Sequence, residues 1–172
     1  GKITGGYTTE YGGAFFIHNN GVVFIENCEI SGNYAQQMGG GIYIQGDRNG
    51  LSLNNVKITG NKAEISGGGV SLLPEIGSSN DMETMYIGGD TVIWGNERFD
   101  GTQDNLYFKH YEGIYNDAEE LYIKQCMGQS SDIPYSPLKE GARIGVNSNK
   151  DNFQMSREDS WFDLESYKYF IP

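Results

Sequence analysis

Two stretches of the chain are near copies of one another: GGAFFIHNNGVVFIENCEISGN at 12–33 and GGGIYIQGDRNGLSLNNVKITGN at 39–61. Asn33 and Asn61 are 28 positions apart (61 − 33), as are Gly40 and Gly68 (68 − 40). Gly13 and Gly40 are 27 apart (40 − 13), and the opening ITGG at 3–6 aligns with ISGN at 30–33 at the same offset (33 − 6). A third copy closes with VIWGN at Asn96, 35 beyond Asn61 (96 − 61). The extra residues have a home in PEIGSSND at 74–81, a stretch dense in turn formers. A recurring period of this size is the signature of a repeat architecture.

Within each copy the apolar residues alternate, which is the period of a strand. Phe15 and Ile17 match Ile42 and Ile44, then Val70 and Leu72. Val23 and Ile25 match Leu51 and Leu53, then Met85 and Ile87; Cys28 and Ile30 match Val56 and Ile58. Each period therefore carries three short strands separated by turns, and no amphipathic helix lies between them. Equivalent strands of successive copies must then stack in parallel without crossover helices. The expected fold is all-β, a single-stranded parallel β-helix solenoid of about three regular coils, with equivalent residues about 4.8 Å apart along the stack. One coil cannot bury its apolar face, whereas stacked coils share a continuous core.

The corners follow from the same stacking. Glycine ahead of each first strand permits left-handed turns. Asn33, Asn61 and Asn96 recur at one corner, where asparagine tolerates left-handed geometry and its amide can bond to the next copy, so a structural ladder is expected. Cys28 takes the slot of Val56 and is expected to be a buried, inert thiol.

GGA at 12–14 and FIEN at 24–27 resemble the GGA-I and F-x-x-N repeats of polymorphic outer-membrane proteins, adhesins of the autotransporter type. The GGGI…ITGN and GGGV…WGN forms are similar to β-helical repeats of bacterial cell-surface proteins more broadly. The resemblance covers about residues 1–108 and departs from the stricter pattern at 51–54, where Leu stands for Phe. It implies a right-handed parallel β-helix, displayed on a bacterial surface or secreted, and often adhesive.

After Asn96 the repeat decays. NLYF at 105–108, ELYIKQ at 120–125 and ARIGV at 142–146 still alternate and suggest looser terminal strands. The tail 147–172 concentrates Trp161, Phe162, Tyr167, Tyr169 and Phe170. An open stack end exposes strand edges, so this flank is read as a cap, with an aromatic ligand platform as the alternative. The whole chain is read as one domain: regular coils over 1–104, looser coils over 105–146, then the flank. It starts in mid-strand, and further coils upstream are expected.

The net charge of −11 argues against a nucleic-acid partner, because phosphate binding needs a cationic face. No apolar run reaches the roughly 18 residues of a membrane helix, so no direct membrane insertion is expected of this segment. Two cysteines, Cys28 and Cys126, are too few for a disulfide framework, although one bridge is possible.

Alternation also decides what faces outward: Phe16, Tyr43 and Ser71 from the first strand, Phe24, Ser52 and Tyr86 from the second. Outward aromatics in a stacked row suit sugar rings or a protein partner. The loop after the first strand varies most, and insertions in repeat proteins gather on a binding face. It presents His18, Asn19, Asn20, Asp47, Arg48, Asn49, Glu75, Asn80 and Asp81. Candidate ligand-binding residues are thus Phe16, Tyr43, Tyr86, His18, Asp47, Arg48, Glu75 and Asp81. Catalysis needs a positioned acid–base pair, which no regular element supplies; Glu29 beside Lys57 is a surface cross-strand pair. His18 and His110 have no companion at ligand spacing, and the corners carry Asn where calcium repeats carry Asp, so neither metal nor cofactor is expected, with a loop calcium ion at Asp47 or Asp81 as the weaker alternative. The expected function is adhesion or binding of a glycan or host-surface protein, extracellularly. A carbohydrate hydrolase or lyase and a passive spacer are the alternatives.

Overall fold

A computed structural model describes residues 1–18, 21–45, 50–73, 84–108, 123–125, 139–145 and 170–171. β1 (Lys2–Thr4) and β2 (Tyr7–Thr8) precede the first complete period, which is β3 (Phe15–His18), β4 (Val22–Glu26), β5 (Glu29–Ser31) and β6 (Tyr34–Ala35). The second is β7 (Ile42–Gln45), β8 (Gly50–Asn54), β9 (Lys57–Thr59) and β10 (Lys62–Ala63). The third is β11 (Val70–Leu73), β12 (Thr84–Gly88), β13 (Val92–Trp94) and β14 (Glu97–Arg98). β15 (Leu106–Phe108), β16 (Ile123–Gln125), β17 (Arg143–Gly145) and β18 (Phe170–Ile171) follow.

Equivalent strands pair in parallel and build four sheets: β3-β7-β11-β15, β4-β8-β12-β16, β1-β5-β9-β13-β17-β18 and β2-β6-β10-β14. The described residues hold no helix, and the architecture is all-β with parallel strands in stacked sheets. There are four strands per period, not the three expected. The fourth is only two residues long, too short to show an alternation. The looser terminal segments contribute β15, β16 and β17, each in register with the third period. Of the 147–172 flank only β18 is described; it pairs with β17. The flank's other aromatics, and Cys126 and His110, lie outside the described residues.

Register explains the repeat. Ile30, Ile58, Ile93 and Ile144 face one another in succession and are all buried. Ile42, Val70 and Leu106 form a second buried column, and Ile17, Ile44 and Leu72 a third. These columns meet in one apolar cluster shared by three sheets, while the fourth sheet contributes buried Ala35 and Ala63. Each buried Ile or Leu contributes about 1.5–3 kcal/mol.

Asn33, Asn61 and Asn96 are buried. Asn33 Nδ2 donates to Asn61 Oδ1 at 2.9 Å, and Asn61 Nδ2 to Asn96 Oδ1 at 3.0 Å. Each amide also donates across the turn to a strand carbonyl, Asn61 to Ile30 and Asn96 to Ile58, both at 2.9 Å. Asn105 continues the ladder, its Oδ1 accepting from the Asn96 backbone at 2.9 Å. The left-handed backbone expected of these asparagines falls instead on the glycines before them, Gly32, Gly60 and Gly95. Two other asparagines adopt it: Asn27 (φ 49°) and Asn55 (φ 53°), at the corner between second and third strands. There the Asn55 amide donates to Asn27 Oδ1 at 3.3 Å.

One local expectation is corrected and another is extended. Cys28 is half-buried rather than fully buried, a free thiol packed beside the core. Its neighbour across the stack is Gly1, which has no side chain to cover it. Glu29 stands in register with Lys57, but its closest ion pair is with Lys2 at 2.8 Å. The hydrogen bond from Lys2, reinforced by one from Ser31, holds the Glu29 carboxyl below its usual range.

Candidate functional site

The outer face of the first-strand sheet carries a cluster of rings. Phe16 and Tyr43 are registered neighbours on β3 and β7. Phe15 and Ile17 turn inward, so Phe16 and His18 turn outward. Phe16 is 51% exposed. Tyr43 was expected to be exposed as well, yet it is only 1% exposed. The reason is Tyr11, whose ring stacks on Tyr43 with centroids 4.4 Å apart and planes 21° apart. Phe16 leans against both rings, at 5.4 Å from Tyr43 and 6.2 Å from Tyr11. His18 lies 5.6 Å from Phe16 at its other side.

The turn ahead of each first strand brings this cover into place. Tyr11, Met38 and Ser66 stand at equivalent positions, each followed by a glycine of positive φ: Gly12, Gly39 and Gly67. The positive φ favours glycine there, and the turn sets that glycine close against the outward residue of the strand that follows. A Cβ on Gly39 would sit 2.7 Å from the Tyr43 Cβ, and one on Gly67 2.6 Å from the Ser71 Cβ. The same close approach buries Ser71, which was also expected to be exposed. Sequence reasoning missed Tyr11 because it lies on no strand. Its place before the Gly12–Gly13 pair was the available signal.

The cluster is therefore one buried ring, Tyr43, supporting an exposed one, Phe16. Tyr43 donates its hydroxyl hydrogen to Gln45 Oε1 at 3.2 Å, which holds the ring in orientation. Edge-tilted and offset-stacked rings at these separations attract one another, so Phe16 is held and not free to collapse. His18 adds one donor and one acceptor at the rim. The chemistry on offer is apolar ring contact with polar trim.

On the neighbouring sheet Phe24 is also exposed, while Ser52, registered beside it and expected outward, is buried. Tyr86 takes the registered place next to Ser52 on β12; its side chain lies outside the described residues, as do Asn19, Asn20, Asp47, Arg48, Asn49, Glu75, Asn80 and Asp81. The structure thus brings together Phe16, Tyr43 and His18 of the expected set and adds Tyr11. Among the described residues, no group of three or more His, Cys, Asp and Glu side chains could hold a metal ion.

Away from this face, Arg98 and Asp104 flank a short turn. Arg98 Nε lies 3.7 Å from Asp104 Oδ2, while Asp104 Oδ1 is buried without a hydrogen-bond partner. Burial pushes the Asp104 carboxyl above its usual range, against the opposing pull of the Gly67 backbone and Arg98.

Compared with known protein families, curated proteins and solved structures, the chain matches none.

Proposed function

We propose that the stacked sheets form a right-handed, single-stranded parallel β-helix. In this reading the chain is a non-catalytic binding module, displayed on a bacterial surface or secreted. It holds a glycan or a host-surface protein against the outer face of the first-strand sheet. The supporting observation is the exposed ring of Phe16, held in place by buried Tyr43 and Tyr11. An exposed, pre-oriented aromatic binds a sugar face or an apolar side chain at low entropic cost. The likeness of the repeats to those of surface adhesins points the same way.

The test is binding of labelled chain to immobilised glycans and matrix proteins, with the wash analysed for released saccharide. Retention without release, lost in Phe16→Ala and kept in Phe16→Trp, supports the module. Release of saccharide overturns it in favour of a carbohydrate-active enzyme. Binding unchanged in Phe16→Ala moves the site away from this face.

A further inference from the structure

A second pair of rings lies on the fourth-strand sheet, apart from the Phe16 face. Tyr7 on β2 and Tyr34 on β6 are registered neighbours in parallel strands. Their rings are stacked 5.6 Å apart and within 8° of parallel. Tyr7 is 63% exposed and Tyr34 half-buried, so both meet solvent. Each hydroxyl is engaged. Gln36 Nε2 donates to the Tyr7 hydroxyl at 3.0 Å. The Tyr34 hydroxyl donates to Glu64 Oε1, a strong bond because its acceptor is charged.

We propose that Tyr7 and Tyr34 are an oxidative modification site, at which a peroxide-driven one-electron oxidant couples the two rings into a dityrosine that staples neighbouring repeats. Each phenol loses one electron and one proton. The Tyr34 proton passes along its existing hydrogen bond to Glu64 and on to water. The Tyr7 oxygen accepts from Gln36, so its own hydrogen is free to go to water directly. The two radicals pair their electrons in a carbon–carbon bond between positions ortho to the hydroxyls. The ring hydrogens displaced there move to the oxygens and restore both phenols. Hydrogen peroxide takes the two electrons and two protons and leaves as two waters.

The hydrogen bond to Glu64 has a second consequence. It pushes the Tyr34 hydroxyl up to about 12; the phenol is protonated at neutral pH like any tyrosine, and the carboxylate that raises it already stands in place to take the proton its oxidation must release. The Tyr11–Tyr43 pair is closer, but Tyr43 is sealed from solvent and its hydroxyl points to an amide oxygen. Proximity, exposure and a carboxylate acceptor coincide at Tyr7 and Tyr34. The link would close a loop of 27 residues (34 − 7) and restrict the unfolded chain.

The full chain, kept dilute, is treated with hydrogen peroxide and a haem peroxidase. It is then cleaved at glutamate, where Glu10, Glu26 and Glu29 separate Tyr7 from Tyr34. The expected result is a covalent link between the two peptides within single chains, with dityrosine fluorescence and a raised unfolding midpoint. Tyr7→Phe and Tyr34→Phe keep the stacked ring and should each lose the link. Glu64→Gln should slow its formation with folding unchanged by circular dichroism. Oxidation of other tyrosines with no Tyr7–Tyr34 link, or coupling only between chains, overturns the proposal. An unchanged rate in Glu64→Gln overturns the role given to that carboxylate.

Discussion

The side-chain amide of Asn61 donates to the side-chain oxygen of Asn96 across 3.0 Å, although 35 residues separate the two. The same Asn96 oxygen accepts from the Asn61 backbone at 3.1 Å. Asn61 in turn receives both the backbone and side-chain amides of Asn33. One residue thus satisfies groups in three successive periods, inside a turn that water does not reach.

Asn61→Ala removes these bonds and leaves buried donors and acceptors behind. Each orphaned group costs about 1–3 kcal/mol, so the loss should exceed about 2 kcal/mol. Urea unfolding read by circular dichroism measures it. A loss under about 0.5 kcal/mol, the scale of an ordinary surface change, would mean that the ladder does not hold the corner.

Gly39 and Gly60 separate backbone strain from crowding. Both have positive φ, 69° and 63°. A Cβ at Gly60 meets open space, whereas one at Gly39 would lie 2.5 Å from the Ile42 carbonyl oxygen. Gly60→Ala should cost about 1–2 kcal/mol from left-handed strain alone. Gly39→Ala should cost clearly more and disturb the Tyr11–Tyr43 stack, seen as a change in near-ultraviolet dichroism. Equal costs would contradict the packing of this turn over Tyr43.

Asp104 carries a pH signature of definite sign. Its carboxyl is raised in the folded chain, chiefly by burial. The folded state then holds this proton more tightly than the unfolded state. Stability from this group is greatest below the ordinary aspartate range and falls as pH rises through the raised value. Asp104→Asn should flatten that part of the profile and raise the unfolding midpoint at neutral pH relative to the parent. A variant whose profile keeps the parent's slope would place the proton elsewhere.

Ile44 lies in a buried column between Ile17 and Leu72. Ile44→Val should cost about 0.5–1.5 kcal/mol. Ile44→Asp places an unpaired charge there and should abolish cooperative unfolding. Tolerance of aspartate would reverse the inward assignment of β7.

The sheets were legible because their information is local. Alternation at Phe15 and Ile17, Val23 and Ile25, and Ile30 marks which side each strand buries, and the recurrence of Asn33 and Asn61 sets the register. What stayed hidden depends on contacts between periods. Tyr43 has the alternation of an exposed residue and is buried by Tyr11, a turn residue of the preceding period. The fourth strands are too short to alternate, and Tyr7 with Tyr34 gains meaning only once they stack. Asn105 joins the ladder nine residues after Asn96, outside the period that identified the others. The loop residues Asp47, Arg48, Glu75 and Asp81 follow from a pattern of insertion alone, which carries no geometry.

The most direct test of the stacked architecture is disulfide trapping in a Cys28→Ser, Cys126→Ser background. Ser31 and Thr59 are registered neighbours on β5 and β9, and Trp94 is one strand further along. Adjacent parallel strands lie about 4.8 Å apart, within the reach of a disulfide, whereas two steps, about 9.6 Å, exceed it. Ser31→Cys with Thr59→Cys should therefore cross-link rapidly under mild oxidation, and Ser31→Cys with Trp94→Cys should not. Cross-linking of the second pair, or failure of the first in a folded chain, would contradict the parallel, in-register stack on which every other inference rests.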